Sequence, residues 1–276
     1  MAQKPPLRAI IIDNDETTGS YAILFAIIHT LQQIPNIKMS TVATILQRLG
    51  TWMIRNHVFR PGLRMFLQTI LQLKLENKID TVIMYTNQKD DHPPDSYIET
   101  EADFLPLLWS VPLCIAYIFC YLMGDNVVTM ILSRPTNYIQ LTNGVIMKYW
   151  YRILDQFPDR PRDIRSMIFI DDLACPAYIS AVGISRYEVN SSCWHRVEPY
   201  TRTLSDREIY NCLEVCFKDI FKPDELYENV YVHYINYMPS RNSTPSTKPM
   251  IHACNVLQAK FGTIELPKDI PSPVSS

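Results

Sequence analysis

The sequence predicts an α/β fold: a mainly parallel, Rossmann-like sheet carrying helical insertions. Three observations lead there. Short apolar runs rich in β-branched residues recur at 9–12, 81–86, 127–132 and 167–170, and each reads as a buried strand. Stretches of helical length and periodicity separate them, the alternation expected of parallel strands joined by crossovers. Three of the runs end on polar residues, at Asp13, Thr86 and the pair Asp171-Asp172. Ligands of open parallel sheets bind outside the carboxyl ends of the strands. Positions far apart in sequence therefore meet along one edge.

The elements follow in chain order. After the strand at 9–12, residues 21–33 are apolar and long enough for a helix. Ser40 is the expected N-cap of a second helix running to about Leu49. Pro61 opens a third, with proline in its first turn, and Leu63, Phe66, Leu67, Ile70 and Leu71 fall on one face. The strand at 81–86 comes next, then the strand at 127–132. Residues 148–154 look helical and precede the strand at 167–170. Ser205 and Asp206 begin a late helix extending to about Ile220. From Met238 the chain is rich in Pro, Ser and Thr, and 266–276 reads as a loose tail. The expected division is one domain over 1–237 and a C-terminal extension over 238–276.

Composition bounds the rest. The chain has 276 residues, 47% hydrophobic and 20% charged, ordinary for one globular domain with room for insertions. Only 7 glycines are present and no glycine-rich phosphate loop occurs. A formal charge of -2 gives no strong pull toward nucleic acid. Arg160, Arg162 and Arg165 gather before a strand, as a solvated loop or a local docking patch for a phosphorylated partner. The 7 scattered cysteines lack zinc spacing and fit reduced thiols. With no apolar leader at the start, an intracellular setting, cytoplasmic or nuclear, is expected.

Residues 104–124 contain no Lys, Arg, Asp or Glu. Their length would suit a membrane span, but Pro106 and Pro112 interrupt them. They also lie between segments assigned to one active site, which a single span would place on opposite sides of a membrane. A buried helix or hairpin within an apolar insertion at 100–126 is expected, with membrane or hydrophobic-partner contact as the alternative.

The polar edge carries the chemistry. Asp13 and Asp15 stand two apart just past a strand. One carboxylate can attack phosphorus, while the other protonates the leaving oxygen and then activates water. Asp171 and Asp172 add negative charge, and several carboxylates in one site repel unless a cation sits among them. Oxygen ligands without histidine favour Mg²⁺. Thr86 can hydrogen-bond a phosphoryl oxygen, and Lys148 can neutralise charge on the nucleophile and phosphate.

The order Asp-x-Asp-x-Thr, strand-Thr, Lys, strand-Asp-Asp resembles motifs I to IV of the haloacid-dehalogenase-like superfamily. Asp13-Asn14-Asp15-Glu16-Thr17 looks like the DxDET form of its FCP/SCP group, the NLI-interacting-factor-like phosphatases. Phe59-Arg60-Pro61-Gly62-Leu63 with Phe66-Leu67 is similar to the group's RPG stretch. Ile170-Asp171-Asp172 with Pro176 and Tyr178, and the stretch from Ser205 to Ile209, resemble two further segments. The likeness covers roughly residues 8–220, in patches.

The resemblance implies Asp13 as nucleophile and metal ligand, and Asp15 as acid/base lending its carbonyl to the metal. It implies Thr86 as phosphate binder and Lys148 as the motif III lysine. Asp172 would ligate Mg²⁺ directly, with Asp171 supporting Lys148 or the metal. Asn14 departs from the usual leucine, and the interval 18–58 looks like a helical, cap-like insertion. The expected activity is Mg²⁺-dependent phosphomonoester hydrolysis on phosphoserine or phosphothreonine in a protein. A small-metabolite or nucleotide phosphatase, and a catalytically weak partner-binding protein, stand as alternatives.

Overall fold

A computed structural model describes residues 4–89, 95–97, 109–134, 150–161, 163–172 and 193–262. At the centre of its sheet is β1 (Ala9–Ile12), buried at all four positions. β1 pairs in parallel with β2 (Thr81–Lys89) on one side and with β5 (Met167–Asp171) on the other. β4 (Met130–Arg134) extends the sheet beyond β2, and β6 (Trp194–Arg196) extends it in parallel beyond β5. A short edge strand, β3 (Asp95–Tyr97), runs antiparallel to β4. The order β3-β4-β2-β1-β5-β6 is the α/β arrangement expected. The chain builds outward from β1 in one direction and then, from β5, in the other. The switch point lies between β1 and β5, where such sheets open a crevice at their carboxyl ends.

Alternation along β1 sorts the two faces. Ile10 and Ile12 enter a large core with α1 (Ala22–Gln32), α2 (Met39–Arg55), α3 (Leu63–Leu75) and α4 (Val111–Met123). That core also takes in α6 (Asp206–Cys216), α7 (Pro223–Tyr237) and α8 (Lys248–Phe261). Ala9 and Ile11 face a smaller core with Ile153 and Leu154 of α5 (Trp150–Asp155). Most helices thus crowd one face.

Several boundaries differ from expectation for physical reasons. α2 begins at Met39 after Lys38, so Ser40 lies inside the helix rather than capping it. α2 also continues past Leu49, because Trp52 and Met53 prolong its buried face. Pro61 precedes α3 rather than occupying its first turn, and Gly62, with φ 87, takes the cap position. A side chain at Gly62 would sit 3.0 Å from Cβ of Met250, so the left-handed turn also lets α8 approach. Val127 and Val128 are buried ahead of β4 without joining it. α6 ends at Cys216, earlier than expected, and starts with a capping box between Ser205 and Glu208.

The two helices of 18–58 are built into the main core: Ile23, Leu24, Ile27, Ile45, Leu46 and Leu49 are all buried there. They form no separate cap body. The apolar stretch contains α4, buried from Val111 to Phe119, and among the described residues no helix is long and apolar enough to cross a membrane. Part of the C-terminal extension is also core. Met250, Ala253, Cys254 and Leu257 of α8 are buried, at helical spacing that the sequence displays. The tail at 266–276 lies outside the described residues.

Gly50 shows how closely α2 and α4 pack. A Cβ there would lie 2.5 Å from Cγ2 of Ile118, on a β-branched side chain with little freedom to move. Glycine in a helix ordinarily costs about 1 kcal/mol against alanine. Here overpacking reverses the sign. Gly50→Ala is expected to lower stability by about 1–2 kcal/mol in chemical denaturation, and adding Ile118→Ala should leave no further clash penalty in a double-mutant cycle.

Candidate metal and active site

The site begins where β1 ends. The Asp13 N–H donates to the Ile170 carbonyl at 2.9 Å, holding Asp13 against the end of β5. The chain then turns sharply. Thr18 donates to the Asn14 carbonyl through both N–H and Oγ1, each at 2.9 Å. The Glu16 N–H donates to the Gly19 carbonyl at 2.9 Å, and Glu16 takes a left-handed φ of 57. Gly19 bridges Asp15 and Phe59, and a Cβ on it would lie 3.1 Å from the Val58 carbonyl oxygen. The loop is therefore pressed onto the segment preceding α3.

Arg60 fastens that loop. It is only 3% exposed. Its Nε donates to the Thr17 carbonyl and one Nη to the Glu16 carbonyl, both at 2.6 Å. The same Nη donates to the Glu198 carbonyl, and the guanidinium lies 5.2 Å from the ring centroid of Tyr200. Burial pulls its pKa down to about 10, which leaves it protonated at neutral pH. Three carbonyls from two chain segments thus share one planar cation, which a lysine's single ammonium cannot reproduce.

Thr17 sits at the centre. Its Oγ1 accepts the Asp172 N–H at 2.9 Å and lies 3.2 Å from a carboxylate oxygen of both Asp13 and Asp172. One hydroxyl proton serves one carboxylate at a time. Asp13, Asp171 and Asp172 are all buried, and one ligand oxygen from each lies within 4.8 Å of the others. Three buried carboxylates at that separation repel strongly unless a cation intervenes. The donor set is all oxygen, so the residues present fit a hard divalent ion.

The expected residues are placed unequally. Asp13, Asp171 and Asp172 come together. The Asp15 side chain is exposed, outside that carboxylate group. Thr86 is buried but is not the end of its strand, because β2 continues to Lys89. The regular pairing of β2 with β4 does break after Tyr85, so Thr86 stands at an irregularity on the same edge. Lys148, Arg162, Pro176 and Tyr178 lie outside the described residues. Sequence reasoning assigned no role to Arg60 or Thr17, and it missed the segment after β6. There the Val197 N–H donates to Asp171, Arg196 Nε to the Asp172 carbonyl, and the Tyr200 N–H to Glu16. Only the resemblance marked Arg60. Nothing local marked 196–200.

Asn14 stands apart. It is fully buried between the two motif aspartates, and among the described residues neither its Oδ1 nor its Nδ2 has a hydrogen-bond partner. An unpaired buried amide costs about 1–3 kcal/mol.

No protein-family model matches the chain, and neither a curated protein nor a solved structure matches it significantly.

Three outcomes are expected. Asn14→Leu removes the orphaned amide at similar volume and should raise unfolding free energy by about 1–3 kcal/mol in urea. Mg²⁺ should raise the melting temperature of the wild-type chain, with about 2.7 kcal/mol of stabilisation at a hundredfold excess over Kd. Asp13→Asn should melt higher than wild type in chelator, because one repelling charge is gone, and should respond less to Mg²⁺.

Proposed function

We propose that this chain hydrolyses phosphomonoesters through a phosphoryl-aspartate on Asp13, with Mg²⁺ held by Asp13, Asp171 and Asp172. The observation that carries the reading is the convergence of these three buried carboxylates at the switch point, two of them, Asp13 and Asp172, sharing the Thr17 hydroxyl. A strand-terminal aspartate locked against the neighbouring strand is a positioned nucleophile, and fixed geometry is what a displacement at phosphorus needs. When bound by Asp13, Asp171 and Asp172, a divalent cation would supply charge neutralisation at the phosphoryl oxygens, so that a carboxylate could approach phosphorus.

The steps assigned to the chain follow. A carboxylate oxygen of Asp13 forms a bond to phosphorus as the bond to the ester oxygen breaks. Asp15, exposed beside the crevice, gives that leaving oxygen its proton. Asp15 then takes a proton from water, the water oxygen bonds to phosphorus, and the Asp13–phosphorus bond breaks to release phosphate. Thr17 orients Asp13 and Asp172. Thr86 and Lys148 are assigned to the phosphoryl oxygens, as the sequence motifs suggest.

For substrate we favour phosphoserine or phosphothreonine in a protein. The helices of 18–58 belong to the core and supply no hinged lid, the device by which small-substrate enzymes exclude water. Full-length protein should hydrolyse a generic phosphomonoester with Mg²⁺ and stop in EDTA. Asp13→Asn should lose roughly four orders of magnitude or more in kcat while keeping its fold by circular dichroism. A phosphoserine peptide should exceed free phosphoserine in kcat/KM, since remote contacts add binding energy. Near-wild-type turnover by Asp13→Asn refutes the nucleophile, and the reverse substrate ranking transfers the assignment to small metabolites.

A further inference from the structure

A second cavity, of about 350 Å³, lies beyond β6. His195, Arg196 and Glu198 form one wall, and Ser246, Lys248 and His252 from the start of α8 form another. The rings of His195 and His252 stand 4.8 Å apart. Among the described residues, the buried His195 Nε2 has no hydrogen-bond partner. Ser246 Oγ accepts the Lys248 N–H at 3.3 Å, which fixes that hydroxyl against the start of α8. Arg196, Lys248, Ser246 and the histidine pair thus line the pocket, with Glu198 as the carboxylate among its lining residues.

We propose that this pocket binds a tetrahedral oxyanion of the phosphate class, either a second phosphoryl group on the substrate or free phosphate. The donors suit it: Lys248 and Arg196 supply charge, Ser246 a hydroxyl, and the imidazoles N–H groups. Burial first, and then His252, push the His195 imidazole down to about 4, so the permanent positive charge comes from Arg196 and Lys248. Glu198, also in the lining, opposes anion binding, so Arg196 and Lys248 must outweigh it.

The pocket shares a wall with the carboxylate site. Arg196 Nε donates to the Asp172 carbonyl at 2.9 Å, while the Glu198 carbonyl accepts from Arg60. β6 lies two strands from β1, so the pocket is on the order of 10 Å from Asp13. A substrate bearing two phosphoryl groups could place one at each site; that source of the anion rests on the phosphatase reading, whereas the oxyanion pocket does not.

The test separates the two. Inorganic phosphate is titrated into the full-length chain in chelator, where no turnover occurs and the three carboxylates repel anions. The His252 imidazole resonances should shift saturably, and Lys248→Glu should weaken binding by about tenfold or more, the loss of a charge-assisted contact plus an added repulsion. His252→Gln identifies the resonance, and as a mild change at an exposed residue it guards against misfolding artefacts. With Mg²⁺ present, kcat/KM is then compared for singly and doubly phosphorylated peptides. A preference for the doubly phosphorylated peptide that disappears in Lys248→Glu, with singly phosphorylated turnover unchanged, identifies the substrate's second group as ligand. Equal rates with intact phosphate binding identify free phosphate. Absence of the His252 shift, or binding undiminished in Lys248→Glu, overturns the pocket whatever the hydrolysis assay shows. Absent hydrolysis with intact phosphate binding counts against the phosphatase reading alone.

Discussion

The buried guanidinium of Arg60 is the contact on which the site's geometry depends. A loop that turns as tightly as 14–19, with Glu16 in a left-handed conformation, exposes carbonyls that its own backbone cannot satisfy. Left unpaired in a buried place, each would favour a different loop. Arg60 pairs the Thr17 carbonyl, shares the Glu16 carbonyl with the Tyr200 N–H, and through Glu198 binds the segment after β6 to the same point. Its fork spans directions that no other side chain covers with fixed planarity. The position of Thr17, and through it the orientation of Asp13 and Asp172, follows from that clamp.

The clamp also bears on electrostatics. Asp13, Asp171 and Asp172 converge because β1 and β5 are neighbours and both end at the same level, with Ile12 paired to Ile170. Strand pairing thus forces together charges that would separate in a freer chain. Arg60 is held mainly by carbonyl dipoles, so its charge relieves the carboxylates only at a distance. A divalent ion held among the three carboxylates would relieve the repulsion between them. Asn14, an unsatisfied amide in the same turn, adds to the cost in the same few residues.

Much of this was legible in the sequence. The β-branched runs identified β1, β2 and β5, because strands buried on both faces have no alternative to continuous apolar character. The aspartates at the ends of β1 and β5 could be assigned to one edge by topology alone. Less legible were features set by neighbours. α2 passes through Gly50 because Ile118 occupies the space a side chain would need, which no local signal reveals. Helices 18–58 resembled a cap because amphipathic patterns do not say which surface they cover. The burial of α8 was available from the spacing of Met250, Ala253, Cys254 and Leu257, but the Pro- and Ser-rich stretch before it masked the pattern.

The interleaving of α8 with the site explains why that helix is more than a C-terminal appendage. Gly62 leaves room for Met250, so the turn carrying Arg60 and the first turn of α8 are packed against each other. On its other side, that first turn faces β6 across the second cavity. The carboxylate crevice and the basic pocket are therefore two sides of one structural unit: the 196–200 segment, held by Arg60 and Asp171–Asp172 on one side and walled by α8 on the other. A cluster of carboxylates and a pocket lined by Arg196 and Lys248 are thus placed side by side, and Arg196 joins them, its Nε donating to the Asp172 carbonyl. On the proposed reading the two positions differ in character: one brings phosphorus to a carboxylate, and one only holds.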